Sequence, residues 1–300
     1  MGILVAGTGA LACLFAARLA AHGDKVTMLG NWSEGLAALR NHHLRLLEMD
    51  GSTHQYPVEV MDGLSCEGDY QYALVLVKSW QTERTAWQLK QCMSVNGIAL
   101  TLQNGLGNAE TLMKVLGKEC VAIGVTTLGA RMLEPGYVQH TGDGRVTLAA
   151  SPGVHSLAEQ LGEAGFQVEM TSDLASLQWG KLVINAAINP LTALLRVANG
   201  ELLSRAGARE LMKEAALEAA SVAASLGIGL PYSDPVRAVE EVARNTASNI
   251  SSMLQDVLRG TPTEIDAING AVARAGATTG MPTPLNNLLW RLVKVLDQRE

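Results

Sequence analysis

Lys181, Asn185 and Asn189 recur at i, i+4 and i+8 within Trp-Gly-Lys-Leu-Val-Ile-Asn-Ala-Ala-Ile-Asn-Pro, residues 179–190. On an α-helix that spacing places one ammonium and two carboxamides on a single stripe. The residues between them are apolar, so the helix is hydrophobic nearly all round, and a buried polar stripe on it needs partners. A small polar ligand is the expected partner. A structural alternative stays open: the amides cap neighbouring helices and Lys181 snorkels to the surface.

A second constellation lies at the N-terminus, where Ile3-Leu4-Val5-Ala6 runs into Gly7-Thr8-Gly9-Ala10-Leu11-Ala12. A short apolar run, glycines and then a helical pattern over 14–21 describe a strand, a tight turn and a helix. Gly7 makes the turn, Gly9 lets the backbone approach a pyrophosphate, and Ala12 keeps the third position small enough for close packing. N–H groups of Thr8, Ala10 and Leu11 then surround the helix start, which favours phosphate. A strand over 25–29 completes a βαβ beginning. An acidic residue at its end would bond the ribose 2′-hydroxyl and repel a 2′-phosphate. The chain reads Gly30-Asn31-Trp32-Ser33 with no carboxylate before Glu34, so NADP is favoured over NAD. Asn31 is no phosphate clamp, which leaves Ser33, Arg40 or Lys78 to help. Lys78 follows the apolar run 73–77, read as a buried parallel strand ending at a ligand crevice.

The elements that must position these residues change character near residue 170. Before it, strand-like runs recur at 98–102 and 121–127. Runs 44–49 and 55–60 flank Asp50-Gly51, and runs 137–141 and 146–150 flank Gly142-Asp143-Gly144; both pairs read as hairpins. From Leu174 onward the pattern is helical, with breaks at 199–200, 227–231, 260–262 and 280–284. The expected fold is α/β: a Rossmann-type dinucleotide-binding domain over 1–170, then an all-helical substrate and catalytic domain over 171–300, with the cleft between them as the active site. Thr261-Pro262-Thr263-Glu264 reads as a capping box with proline at the first helical position.

Composition narrows the partners. A net charge of −6 over 300 residues lacks the basic footprint of a nucleic-acid binder. Cys13, Cys66, Cys92 and Cys120 are widely spaced without a CxxC pair, and the six histidines have no ligand spacing, so neither a metal site nor a disulfide is expected. The apolar first twenty residues lack a basic n-region, and no transmembrane segment is expected. A cytoplasmic protein with a small-molecule substrate, no membrane partner and no nucleic-acid partner accounts for this pattern. The oligomeric state is open, a homodimer among the options.

Over nearly the whole chain the residues resemble the ketopantoate reductases (2-dehydropantoate 2-reductases). The resemblance rests on Gly7–Ala12, Val77-Lys78-Ser79, the segments 102–107, 181–185 and 189–194, Asn249-Ile250-Ser251-Ser252-Met253-Leu254-Gln255-Asp256, and Thr263-Glu264-Ile265-Asp266 with 267–270. Asn31 departs from the family, where an arginine commonly supports NADP. The resemblance implies NADPH-dependent reduction of ketopantoate to pantoate in pantothenate and coenzyme A biosynthesis. It implies Lys181 as proton donor and Asn185, Asn189, Asn199, Asn249 and Ser252 as substrate ligands. Lys78, Asn104 and Ala130 fall on the cofactor side, and Glu264 on both the catalytic and cofactor sides. The alternatives are a reductase of another branched 2-oxo acid, a β-hydroxyacid dehydrogenase, or a non-catalytic NADP-binding protein.

Overall fold

The computed structural model describes residues 2–63, 67–151 and 153–297. Contacts divide the chain into two compact units, Met1–Gln103 with Asn108–Leu174, and Asn104–Gly107 with Ala175–Glu300. In chain order the strands of the first unit are β1 (Gly2–Ala6), β2 (Lys25–Gly30), β3 (Leu44–Leu47), β4 (Thr53–Tyr56), β5 (Glu59–Asp62), β6 (Tyr70–Val75), β7 (Met93–Thr101), β8 (Val121–Thr126), β9 (Gly129–Glu134), β10 (Tyr137–Gly142), β11 (Arg145–Ala149) and β12 (Gln167–Thr171).

The larger sheet runs β12-β11-β8-β7-β6-β1-β2-β5. All its pairings are parallel except β8 with β11. Parallel neighbours need crossovers, which helices Ala10–His22, Thr82–Cys92 and Asn108–Leu116 provide. Strand order turns back beside β1, the place where such sheets open a crevice at their carboxyl ends. Ile3, Leu4, Val5, Ala6, Ala73, Leu74 and Val75 are fully buried, as strands covered on both faces must be.

The smaller sheet, β4-β3-β10-β9, packs on helix Ala10–His22, and it revises both expected hairpins. β3 and β4 do pair antiparallel around Asp50-Gly51, but the run 55–60 is divided: Tyr56 ends β4, and Glu59 begins β5 in the other sheet. Pro57 stands at the division, where it has no N–H for a ladder. The run 137–150 is not a hairpin at all. β10 pairs with β9 and β3, whereas β11 pairs with β8 and β12. Gly142-Asp143-Gly144 instead carries the chain from one sheet to the other. A Cβ on Gly144 would lie 2.5 Å from the Thr127 carbonyl carbon, so the residue must be glycine to pass.

One further expectation is corrected. Cys92 is disulfide-bonded, while Cys13 and Cys120 carry free thiols. Spacing along the chain says nothing of spatial approach, which alone decides whether two sulfurs can join.

The second unit is helical: Leu174–Leu195, Glu201–Ser204, Ala206–Ser225, Pro235–Asn245, Ser252–Arg259, Asn269–Thr279 and Pro284–Asp297. Its core is small-residue packing around Ala215, Ala216, Ala219 and Ala223, closed by Trp179, Met212, Val239 and Leu289. No described helix is long and apolar enough to cross a membrane.

Candidate active site

The stripe helix runs unbroken from Leu174 to Leu195 with Pro190 inside it. A proline there has no N–H and leaves the carbonyl four residues earlier without its helical donor. That carbonyl belongs to Ala186, and Asn269 Nδ2 donates to it at 2.9 Å. The same nitrogen also donates to Asn286 Oδ1 at 2.9 Å. A buried amide from another helix thereby replaces the missing bond, and Lys181, Asn185 and Asn189 stay in line over two turns.

Among the described residues, the Asn185 and Asn189 carboxamides make no side-chain hydrogen bond. Neither carboxamide caps a helix among the described residues. Asn189 is 7% exposed and Asn185 half-buried. Burial lowers the Lys181 ammonium to a pKa of about 8, and the carboxylate of Glu264 acts against that shift. Desolvation penalises the charged form and a nearby anion favours it; here desolvation is the larger effect.

Glu264 is itself buried, 5% exposed, and does not sit in a capping box. The expected helix start at Pro262 is corrected: Thr261 closes the preceding helix by donating N–H and hydroxyl to the Asp256 carbonyl at 3.0 and 3.2 Å, and the next helix begins only at Asn269. Thr263 donates its hydroxyl to Asp297 at 2.9 Å. The turn between holds Glu264 against Asn104, whose Nδ2 donates to Glu264 Oε2 at 3.4 Å. Asn104 reaches it because Leu106 N–H donates to the Ala267 carbonyl at 2.9 Å, and because Gly105, at φ +81°, has no Cβ. A Cβ there would lie 2.3 Å from that same carbonyl oxygen.

The remaining nominated residues form a second chain of contacts. The Thr192 hydroxyl lies 2.9 Å from the Asn189 carbonyl and 2.7 Å from Ser251 Oγ. Ser251, which the sequence reading missed, is the N-cap of Ser252–Arg259 and accepts from Leu254 N–H at 3.1 Å. Its signal was present in Ser251-Ser252 ahead of an apolar run, where either serine fits an N-cap. Ser252 is half-buried, and its hydroxyl makes no bond to another described residue. Asn199 N–H donates to the Asn249 carbonyl at 3.0 Å, and Asn199 Nδ2 donates to Thr246 at 2.9 Å. Asn199 Oδ1 is buried without a partner among the described residues. Asn249 itself is exposed.

In the first unit, Gly7 is at φ +132°, and a Cβ on it would lie 2.9 Å from the Leu76 carbonyl oxygen and 3.2 Å from Ala12 Cβ. Both small residues are therefore required by the turn. Gly9 is the N-cap of helix Ala10–His22, which no side chain caps, and a Cβ on Gly9 would meet nothing within 4 Å. An open, uncapped helix start flanked by Thr8, Ala10 and Leu11 fits a dinucleotide pyrophosphate. Lys78 lies three residues beyond β6, at the start of the 3-10 turn Ser79–Gln81. Ala130 lies in β9 of the smaller sheet, opposite His140. Among the described residues there is no His, Cys, Asp and Glu cluster that could hold a metal.

Comparison with known proteins matches this arrangement. The ketopantoate reductase PanE/ApbA family model covers residues 3–153 and its C-terminal model residues 173–297. The 2-dehydropantoate 2-reductase of Halobacterium salinarum is 35% identical over 306 residues, covering 100% of both chains. Among solved structures, a PanE/ApbA family ketopantoate reductase from Ralstonia eutropha superposes with a TM-score of 0.91 at 31% identity, covering 99% of this chain and 98% of that one. D-mandelate dehydrogenase, solved with NADH and anilino(oxo)acetate, superposes with a TM-score of 0.93 at 26% identity over the same shares. With both of its units matched and a full-length relative above 30% identity, the chain belongs to the ketopantoate reductase family of oxidoreductases.

Proposed function

We propose that this chain reduces 2-dehydropantoate to pantoate with NADPH. The observation that carries the reading is the Lys181 ammonium, lowered by burial to about 8 with Glu264 opposing the shift, on one helical stripe with two amides that make no side-chain hydrogen bond among the described residues. NADPH, when bound, supplies the hydride that reduces the 2-oxo carbon. Lys181 stabilises the charge that develops on the carbonyl oxygen and gives that oxygen its proton. Asn185, Asn189 and Ser252 supply uncommitted donors to the substrate's carboxylate and hydroxyl groups. Asn199 and Asn249 close the same set through their backbone bond, and the buried Asn199 Oδ1 accepts from a substrate hydroxyl. Glu264 holds Lys181 protonated near neutral pH and orients Asn104 on the cofactor side. Gly7, Thr8, Gly9, Ala10, Leu11 and Ala12 hold the pyrophosphate, with Lys78 and Ala130 flanking the cofactor. The net charge of −6 supports a small-molecule partner rather than nucleic acid. A cytoplasmic location is supported by the demand for NADPH, and a homodimer is compatible with the reading.

The likeness to D-mandelate dehydrogenase favours a second reading, reduction of an aryl 2-oxo acid with NADH. Absorbance of NADPH and NADH, followed against ketopantoate, other branched 2-oxo acids and aryl 2-oxo acids, separates the two. The highest kcat/KM is expected for ketopantoate with NADPH. A higher value for an aryl acid with NADH moves the assignment to the second reading, and no turnover with any pair overturns both.

A further inference from the structure

The carboxyl end of β2 carries a charge arrangement that the order of residues along the chain conceals. β2 and β5 pair parallel with Gly30 opposite Asp62, so a carboxylate stands one strand away from the position where NAD-binding sheets keep theirs. Arg40, from helix Ser33–His42, reaches this end and pairs with Asp62 at 3.7 Å, both side chains about half exposed. Asn31 is turned elsewhere: its Oδ1 lies 2.3 Å from where a Cβ on Gly63 would be, so its carboxamide folds over Gly63.

Three side chains could meet a 2′-phosphate here, and strand order separates them. Lys78 follows β6, which β1 separates from β2, so it starts two strand spacings, roughly 10 Å, from the end of β2. Ser33 is uncharged. Arg40 is a planar cation already at the β2–β5 end, and its half-exposed pair with Asp62 is weak enough to exchange for a better anion. A phosphate monoester carries about −1.5 to −2 charges and offers the guanidinium bidentate acceptors.

We propose that Arg40 is the 2′-phosphate ligand of this chain and that Asp62, by competing for Arg40, limits the preference for NADPH over NADH. The proposal rests on the NADPH reading above, but it is tested by binding alone. Dissociation constants for 2′,5′-ADP and 5′-AMP are measured by calorimetry on the wild type, Arg40→Gln and Asp62→Asn, with melting curves confirming that each variant is folded. The wild type is expected to bind 2′,5′-ADP more tightly. Arg40→Gln should weaken 2′,5′-ADP by about ten- to a hundredfold, the range for a hydrogen bond to a charged group, and change 5′-AMP by less than about twofold. Asp62→Asn should tighten 2′,5′-ADP severalfold. An unchanged ratio in Arg40→Gln, a weakened 2′,5′-ADP in Asp62→Asn, or a wild type that prefers 5′-AMP overturns the proposal. Failure of the proposed reaction would show instead as absent turnover of 2-oxo acids with the nucleotide ratios intact.

Discussion

Asn104 and Glu264, 160 residues apart in the chain, share a hydrogen bond of 3.4 Å, and the glycine after Asn104 makes it possible. Gly105→Ala would drive a Cβ into the Ala267 carbonyl and place alanine at φ +81°. It is expected to destabilise the protein by about 1–3 kcal/mol through positive φ and overpacking. Asn104→Ala, which leaves the backbone approach intact, should lower kcat/KM while the melting temperature stays within a degree or two. Equal loss of stability in both variants would show that the Asn104 side chain only braces the turn.

Lys181→Met should keep the fold and lower kcat by about 10² to 10⁴, the range for losing a general acid. Its stability should also lack the pH dependence that Lys181 gives the wild type. The folded pKa of about 8 lies below the 10.5 of an ordinary lysine, so folding carries the cost of a desolvated ammonium at every pH below 8. That cost falls as pH rises from about 8 to 10.5, where the unfolded chain binds the extra proton. The stability of the wild type relative to Lys181→Met should therefore rise across that window. A wild type whose stability relative to Lys181→Met does not rise between about pH 8 and 10.5 contradicts the desolvation.

Activity should respond to pH in the opposite sense. The proton donor must be charged, so the rate of reduction is expected to fall as pH rises through about 8. Glu264→Gln removes the carboxylate that opposes desolvation and should move this limb to lower pH. A limb unmoved in Glu264→Gln would separate the glutamate from the lysine.

Asn185→Leu and Asn189→Leu test whether the amides serve substrate. Neither bonds another described residue, so stability should stay within about 1 kcal/mol, while kcat/KM should fall by roughly 1–3 kcal/mol of transition-state binding. A collapsed melting temperature with normal activity per folded molecule would return the amides to a structural role.

Asn269→Leu should show the reverse pattern. It leaves the Ala186 carbonyl, already deprived of a helical donor by Pro190, unsatisfied in the core. The expected cost is about 1–3 kcal/mol in stability, read by denaturant unfolding, and a variant as stable as the wild type would show the carbonyl is otherwise served.

The stripe of Lys181, Asn185 and Asn189, the glycine turn at Gly7 and the change to helices after residue 170 were legible from the residues because each depends on local periodicity or on a backbone geometry that few residue types permit. What lay beyond reach was every relation that depends on which distant segment arrives. Tyr137–Gly142 and Arg145–Ala149 look like a hairpin, but strand pairing is settled by which sheet has an unfilled edge, and they joined different ones. Thr261–Glu264 has the letters of a capping box, yet its threonines were claimed by Asp256 and Asp297, partners that outcompeted a local helix start. Asp62 shows the same limit: 31 residues separate it from Asn31 in sequence, and only the parallel register of β2 with β5 brings its charge beside Gly30. Side-chain type and spacing determine which chemistry a segment can perform, whereas burial and pairing, which set the ammonium of Lys181 near pH 8 and Asn104 upon Glu264, are properties of the packed chain alone.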